Sequence, residues 1–414
     1  MSDIDRSRAQ QLMREAGMDA LVLFQPEAFR YAVGAHAGVA TMWGRAGSAI
    51  ALVPADADAR LAAVVSDHAA PLVRKAAPEI DLRCHRIWID IVDLSGAKTT
   101  VQVDDAYRRN NSGGPRPETF DRAACFGLLA DLLRERGLSG ARIGADLEFM
   151  PAADFLALGQ ALPDVDWVDG SPVLRRLRAV KSEREIELLR RAAAAAEAGL
   201  VAMAAAVRPG AALGGLSAAW KAGAQAHAVK SGFSLSGHWD YISVGPALSN
   251  MAAVVTPGAL IKADVGTLVD GYSSDGARSF SWGPVSPLAA DVFSALEAAF
   301  ARGLEALRPG NTFGAVHAAM LASMLASMRG QGFGEYYRGH FGHSVGGGVG
   351  IEEWPFFSHD NPEIILPGMV VALEAPFYGE GLGALMIEDQ FLVTSSGAEC
   401  MNSLPRTLRD LSAD

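Results

Sequence analysis

The stretch that decides the fold of the second half of the chain is Leu260-Ile-Lys-Ala-Asp-Val-Gly-Thr-Leu-Val-Asp-Gly-Tyr-Ser-Ser-Asp-Gly-Ala-Arg-Ser-Phe280. Its Asp270-Gly271 pair is typical of a tight hairpin turn, which predicts two antiparallel arms. Asp264 and Asp275 would then lie on opposite arms. Aspartate is depleted in strand interiors, and an unpaired buried carboxylate is costly. The stretch therefore predicts either a solvent-facing hairpin or two facing carboxylates that share a cation or a proton.

A second segment repeats this pattern closer to the C-terminus. Residues 370–378 and 384–393 are predicted strands that carry Glu374 and Glu388, with a glycine-rich turn between them. A related pattern precedes each acidic pair. A predicted long helix ends at Val207-Arg-Pro-Gly210 and another at Leu307-Arg-Pro-Gly310, an offset of 307 − 207 = 100 residues. The repeat predicts two related halves that meet around a shared site.

A glycine-rich segment between these halves supplies a histidine. Residues 338–350 read Arg-Gly-His-Phe-Gly-His-Ser-Val-Gly-Gly-Gly-Val-Gly, and the glycines around His343 allow the backbone to approach a site closely. Four carboxylates and one imidazole favour Mn²⁺, Fe²⁺, Co²⁺ or Zn²⁺ over a metal that prefers thiolates. The charge of two divalent ions would balance the four carboxylates. The sequence therefore predicts a two-metal site.

The first 170 residues have a different pattern, in which predicted helices and strands alternate as in an α/β domain. Helices are predicted at 5–16, 67–76, 118–136 and 152–161, strands at 20–24, 49–53, 61–65, 142–145 and 166–168, and a loop over the polar residues 100–117. A capping box at Ser182 and Glu185 predicts the start of a long helix. We therefore expect an N-terminal domain over 1–170 and a C-terminal domain over 171–414.

Composition limits the classes of function. The chain has 414 residues, of which 50% are hydrophobic, and its 36 basic and 47 acidic residues give a net charge of −11. This charge argues against binding to nucleic acid or to an anionic membrane surface. The three cysteines (Cys84, Cys125 and Cys400) are widely spaced, which argues for a reducing compartment and against a disulfide framework. With no signal peptide or membrane span visible, we expect a cytoplasmic protein.

Four motifs taken together resemble the pita-bread metallopeptidase family. They are Gly-Tyr-x-x-Asp-x-x-Arg around Asp275, Gly-His-x-x-Gly around His343, Pro-Gly-Met-Val-x-x-x-Glu ending at Glu374, and Ile-Glu-Asp-x-x-Leu-Val-Thr around Glu388. The family includes Xaa-Pro aminopeptidase, prolidase, creatinase and ectoine hydrolase. The resemblance implies an α/β creatinase-type N-terminal domain followed by an α+β pita-bread catalytic domain with an internal pseudo-twofold repeat. It also implies a homodimer.

The resemblance assigns roles to particular residues. Asp264, Asp275, His343, Glu374 and Glu388 would be the metal ligands, and Asp275 and Glu388 would bridge the two ions. Glu374 would accept the proton of the attacking water. The leaving-group proton or an anchor for the substrate would come from His340, Glu352 or Glu353. Four aromatic residues are candidates for the pocket wall: Trp239, Tyr241, Trp354 and Phe377.

The chain departs from the family's peptidases at positions that bind substrate or move protons. Residues 244–254 contain no histidine, Glu352 occupies the histidine position of a His-Glu pair, and Met386 occupies a position where arginine is common. These changes leave three hypotheses open. The first is a dinuclear hydrolase of a C–N bond in an Xaa-Pro dipeptide or a small amide such as ectoine. The second is a metal-dependent lyase like dimethylsulfoniopropionate lyase, and the third is a non-catalytic binding protein.

Overall fold

The computed structural model describes residues 2–111, 114–330, 334–348 and 350–413. The chain divides into two compact units, Met1–Arg178 and Ala179–Asp414. Among the helices of the described residues, none has the length and apolar character needed to cross a lipid bilayer.

The N-terminal unit is built on one six-stranded sheet in the order β4-β3-β2-β1-β5-β6. The pairs β1/β5, β5/β6 and β3/β4 are parallel, whereas β1/β2 and β2/β3 are antiparallel. The elements are α1 (Arg6–Glu15), β1 (Ala20–Leu23), α2 (Pro26–Val33), a short 3-10 helix (Gly38–Met42), β2 (Ile50–Pro54), β3 (Ala62–Ser66), α3 (Ala70–Ala76), β4 (Asp81–His85), α4 (Thr100–Asn110), α5 (Arg122–Glu135), β5 (Arg142–Ala145), α6 (Ala152–Ala161), β6 (Asp166–Asp169) and α7 (Ser171–Ala179).

Helices cover both faces of this sheet, because alternate residues of each strand point to opposite sides. On β1, Leu21 and Leu23 join an apolar core with residues of α1, α2 and α3. Ala20 and Val22 of the same strand join a second core with residues of α5 and α6. A sheet buried on both faces in this way is typical of α/β domains.

Most of the helices and strands predicted in this unit are present, but one prediction is wrong. Residues 100–110 form α4 rather than a loop. The helix begins with a capping box between Thr99 and Gln102, and Ala106 is its buried residue. Because nearly the whole helix faces solvent, it lacks the apolar periodicity by which a helix is recognised in a sequence. The predicted loop also included residues 112 and 113, which lie outside the described residues.

The C-terminal unit combines four long helices with a curled ten-stranded sheet, whose main path is β12-β11-β13-β14-β10-β8-β7. The strands β9, β15 and β16 pair with β8, β14 and β10, respectively. Its elements are α8 (Glu183–Ala206), α9 (Leu213–Lys230), β7 (Gly237–Val244), β8 (Leu260–Val269), β9 (Tyr272–Ser273), β10 (Ala277–Ser281), α10 (Pro287–Ala306), α11 (Phe313–Gly330), β11 (His340–Ser344), β12 (Glu353–Ser358), β13 (Val370–Gly379), β14 (Gly383–Thr394), β15 (Gly397–Cys400) and β16 (Arg409–Asp410).

The predicted internal repeat is visible in the helices. The pair α8 and α9 and the pair α10 and α11 occupy matching positions 100 residues apart, since α8 ends at Ala206 and α10 at Ala306. The predicted capping box of Ser182 and Glu185 begins α8. Residues of α8 and α9 form an apolar core with β7 and β8, and residues of α10 and α11 form another with β11, β13 and β14. Each helix pair therefore covers its own half of the sheet.

In the central part of this sheet, one face of each strand packs in the apolar core beneath the helices, and the other face points away from that core. On β8, Ile261, Ala263 and Val265 belong to the core beneath α8 and α9. On β14, Leu385 and Ile387 belong to the core beneath α10 and α11. Residues that alternate with these positions point to the opposite face.

Candidate metal centre

Three of the predicted carboxylate ligands lie in one row on the face of the curled sheet opposite the helices. Asp264 on β8 is opposite Ala277 on β10, and Ala277 is opposite Glu388 on β14. Glu388 is in turn opposite Glu374 on β13. The strand pairing therefore aligns acidic residues that are up to 124 positions apart in the chain (388 − 264 = 124).

Asp275 reaches the same site from the segment just before β10. The hairpin turn is where the sequence predicted it, since Asp270 and Gly271 have positive φ angles of 48° and 77° and connect β8 to β9. After β9 the chain continues to Asp275, whose backbone N–H donates to Oε1 of Gln390 at 3.3 Å. Asp275 is thus fixed beside Glu388 of the same strand as Gln390.

His343 on β11 completes a compact group with Asp275 and Glu388. Its Nε2 lies 3.4 Å from Oδ2 of Asp275, and its Nδ1 lies 2.9 Å from the carbonyl oxygen of Ser344. The contact with a carbonyl oxygen assigns the proton of a neutral ring to Nδ1, which leaves the Nε2 lone pair facing the carboxylates. One ligand atom from each of the three residues lies within 4.8 Å of the others.

The glycine before this histidine is required by the backbone. Gly342 has a φ angle of +118°, and a Cβ atom there would lie 2.0 Å from the carbonyl oxygen of Ala372 on β13. Any other residue would have to move β11 away from its neighbour, and His343 would move with it. The Gly-His motif of the sequence therefore has a steric reason.

The compact group has the chemistry of a cation site. All three side chains are buried, and Oδ1 of Asp275 and Oε2 of Glu388 have no hydrogen-bond partner. Burial raises the pKa of Asp275 to about 7 against the opposing contact with His343, and burial together with the neighbouring carboxylates raises the pKa of Glu388 well above its ordinary value. Burial alone would lower the pKa of His343, but its contact with Asp275 raises it to about 9. A divalent cation would satisfy both unpaired oxygens and offset the repulsion between the carboxylates, so these residues fit such a group.

The other two predicted ligands are each paired with a cationic side chain. Nζ of Lys262 lies 3.0 Å from Oδ2 of Asp264. Burial raises the pKa of Asp264, although the charge of Lys262 opposes this. Oε1 of Glu374 lies 3.1 Å from Nδ1 of His340 and 3.4 Å from Nη2 of Arg338.

These contacts shift the pKa of Glu374 in the opposite direction from the pKa values of Asp275 and Glu388. Burial acts to raise the pKa of Glu374, but the hydrogen bond with His340 and the charge of Arg338 outweigh burial and lower it. Glu374 is therefore held as a carboxylate, whereas the pKa values of Asp275 and Glu388 are raised.

Lys262 and Arg338 had no role in the sequence-based prediction. Lys262 is two residues before Asp264, so the period of a β-strand places both side chains on one face and could have identified it. Arg338 is 36 positions before Glu374, and only the fold brings them together.

The remaining predicted residues occupy different places. Glu352 lines the cavity, its carboxylate is half-exposed, and Oε2 lies 3.9 Å from Nε2 of His340. Glu353 instead accepts a hydrogen bond at 2.5 Å from the backbone N–H of Gly348, within the glycine-rich loop. Two of the four predicted aromatic wall residues, Trp239 and Tyr241, line the cavity. The other two, Trp354 and Phe377, pack against the apolar core beneath α10 and α11.

The cavity above the acidic row has a volume of about 670 Å³. Its wall combines the charged residues with Tyr378, Ile351 and Met386. The ring of Tyr378 has the Nζ of Lys262 at 5.4 Å and the guanidinium carbon of Arg338 at 5.6 Å from its centroid. A cavity of this size admits a small molecule or a short peptide.

Both units match known families. The model described as Creatinase/Prolidase N-terminal domain matches residues 6–180, and the model described as Metallopeptidase family M24 matches residues 187–395. The chain therefore belongs to metallopeptidase family M24. This match confirms the predicted fold class and the prediction of a metallohydrolase of the Xaa-Pro aminopeptidase and prolidase family.

Several proteins that are similar to this chain are dipeptidases. The chain is 32% identical over 275 residues to the probable dipeptidase PepE of Mycobacterium tuberculosis, a match that covers 66% of this chain and 71% of that protein. The crystal structure of dipeptidase PepE from Mycobacterium ulcerans has a TM-score of 0.73 at 25% identity and covers 98% of this chain and 96% of that chain. The structure of Xaa-Pro dipeptidase from Bacillus anthracis has a TM-score of 0.74 at 21% identity, with 98% of each chain covered. At this identity, the similarity shows only that the two chains share a fold.

Proposed function

We propose that the chain is a metal-dependent hydrolase of a C–N bond in a dipeptide or another small amide. The single observation that carries this proposal is the buried group of Asp275, His343 and Glu388, with two carboxylate oxygens that have no hydrogen-bond partner. The dipeptidase names of the relatives support the peptide as the first substrate class. A non-catalytic binding protein accounts less well for a buried acidic cluster inside an open cavity.

We further propose that the metal ligands belong to the group of Asp264, Asp275, His343, Glu374 and Glu388. A divalent cation bound there would polarise the scissile carbonyl group and activate a water molecule. The candidates for this cation are Mn²⁺, Fe²⁺, Co²⁺ and Zn²⁺, because oxygen ligands with one nitrogen suit all four. The carboxylate count of the sequence alone predicts two such ions.

The protein's own residues then move the protons. Glu374 accepts a proton from the attacking water, since its lowered pKa keeps it ionised at neutral pH. His340 is in contact with Glu374 at 3.1 Å and passes a proton to the departing amine. Glu352, 3.9 Å from the other nitrogen of His340, orients the imidazole or binds the substrate's amino group. Glu353 supports the glycine-rich loop rather than the reaction.

Xaa-Pro dipeptides are the first substrates to test, and small cyclic amides such as ectoine are the second. The second class is included because Met386 and Glu352 replace residue types that the family's peptidases use, as the resemblance to the family implies. Both residues line the cavity, so the changes bear directly on the substrate. Trp239, Tyr241 and Tyr378 supply apolar surface for a ring.

Mass spectrometry of the products tests the proposed reaction. Protein stripped with a chelator and then reloaded with one of the four cations is incubated with Xaa-Pro dipeptides, cyclic amides and sulfonium or betaine acids. Hydrolysis adds one water to the substrate, whereas a lyase releases fragments without added oxygen. We expect hydrolysis that depends on the cation. Clean elimination, or amide hydrolysis that persists in the chelator, would contradict the proposal.

A pair of glutamate variants provides the control. Glu374→Gln should lower kcat by at least about 100-fold, since it removes the proton acceptor. Glu399→Gln changes a glutamate of β15 that pairs with Arg190 at the surface, 2.8 Å away, and should keep full activity. Equal activity of the two variants would show that Glu374 has no part in the reaction.

We also propose that the chain acts as a homodimer in the cytoplasm. The three cysteines are free, which agrees with a reducing compartment. Light scattering of the purified protein tests whether it is a homodimer, and a monomer at micromolar concentration would contradict this proposal.

A further inference from the structure

Lys262 places an ammonium group in the candidate metal centre. Its side chain points from β8 into the cavity, it is 4% exposed, and its Nζ lies 3.0 Å from Oδ2 of Asp264. Lysine is almost never buried to this extent unless its ammonium group is paired. Asp264 is the carboxylate that pairs with it, so one of the five candidate ligands already has a positively charged partner.

The order of the strands shows which part of the site this partner affects. The strands run β11, β13, β14, β10, β8 across the sheet. His343 on β11 and Glu374 on β13 therefore lie on one side of Glu388, which is on β14. Asp264 on β8 lies on the other side. An ion held with His343 uses Asp275 and Glu388, whereas a second ion on the far side would depend on Asp264.

The charges of the site balance with one divalent ion. Asp264, Asp275, Glu374 and Glu388 together carry four negative charges when ionised. Among the described residues, the lysine and arginine side chains paired with this group are Lys262 and Arg338. One divalent ion brings the sum to zero. A second ion would leave two uncompensated positive charges in a buried site, which is unfavourable in a medium of low dielectric constant.

We propose that the ammonium group of Lys262 takes the place of the second divalent ion. The site then binds one ion tightly at Asp275, His343 and Glu388, and a second ion only by displacing Lys262 from Asp264. This inference rests on the proposed function only in so far as the site binds a metal, and it revises the sequence-based prediction of two ions per chain.

The test counts metal ions in the wild-type protein and in Lys262→Met, which keeps the length of the side chain and removes its charge. Protein dialysed against micromolar Mn²⁺ is analysed by elemental mass spectrometry, and the binding isotherm is measured by calorimetry. We expect one ion per chain in the wild type and two in Lys262→Met, with the second site tighter by at least about 100-fold. Electron paramagnetic resonance gives an independent readout, since two neighbouring Mn²⁺ ions couple and one does not.

Two further variants serve as controls. Lys262→Arg keeps a positive charge and should keep one ion per chain. Lys221→Met removes a lysine of α9 that pairs with Asp240 at 2.9 Å, and it should also leave one ion. Two equally tight ions in the wild type, or one ion in Lys262→Met, would overturn the inference while leaving the proposed hydrolase intact. No bound metal in any of the proteins would overturn both.

Discussion

Asp275→Asn should have opposite effects on stability in the absence and presence of metal. In the metal-free protein, burial raises the pKa of Asp275 from 3.8 to about 7. Because the folded pKa is above the unfolded one, stability falls as the pH rises from about 4 to about 7, and the ionised group costs about 4 kcal/mol at pH 8. Asparagine is neutral and of nearly the same shape, so it removes this cost, and the pKa of about 7 already includes the contact with His343. We expect the metal-free variant to be more stable than the wild type at pH 8 by up to about 4 kcal/mol.

With metal present, the difference in stability between Asp275→Asn and the wild type changes sign. A cation at about 100,000 times its dissociation constant stabilises the wild type by about 7 kcal/mol, which exceeds the cost of the ionised group. The substituted side chain would offer only a neutral amide oxygen, so the variant should lose most of this stabilisation. The wild type should therefore be less stable than Asp275→Asn in a chelator at pH 8 and more stable when loaded.

Hydrogen exchange of β14 measures these free energies within the C-terminal unit, which is one of the two compact units of the chain. The matched control is Asp389→Asn, a buried carboxylate on the same strand that pairs with Arg278 at 2.6 Å. This control should be destabilised by about 3–5 kcal/mol in both conditions, with the metal effect unchanged. A metal-free Asp275→Asn protein that is less stable than the wild type, yet is stabilised equally by metal, would refute the reasoning.

Two other predictions follow from the same site. Gly342→Ala should weaken metal binding by at least about 10-fold, because its Cβ would lie 2.0 Å from the carbonyl oxygen of Ala372 and displace His343; calorimetry checks this, and unchanged affinity would contradict it. Metal affinity should also rise between about pH 6 and pH 9, since Asp275 and His343, with pKa values of about 7 and about 9 in the metal-free protein, must lose their protons to bind the ion. Calorimetry in two buffers of different ionisation enthalpy should detect the released protons, and an affinity independent of pH would disagree.

The sequence predicts those features that local patterns determine. The hairpin turn at Asp270 and Gly271, the capping box of Ser182 and the repeated pairs of helices all depend on neighbouring residues, and each is present. The exposed helix α4 was predicted as a loop because its stability comes from a capping box and not from an apolar stripe. The helix α2 was not predicted, since it has only eight residues.

The sequence predicts the acidic residues of the site better than the charges around them. Acidic residues inside apolar strands are rare, so Asp264 and Glu388 stand out in the sequence. The pairing of Arg338 with Glu374 depends on how β11 and β13 approach each other, which no local pattern contains. The number of ions was predicted by counting carboxylates alone, and for that reason Lys262 was left out of the charge balance.

The central claim is that a divalent cation binds at Asp275, His343 and Glu388. Anomalous diffraction from crystals grown with Zn²⁺, recorded at the zinc absorption edge, tests it most directly. We predict an anomalous peak about 2.0–2.2 Å from Nε2 of His343 and from an oxygen of each of the two carboxylates. Fully loaded crystals with no peak there, or with these side chains turned away from one another, would contradict the claim.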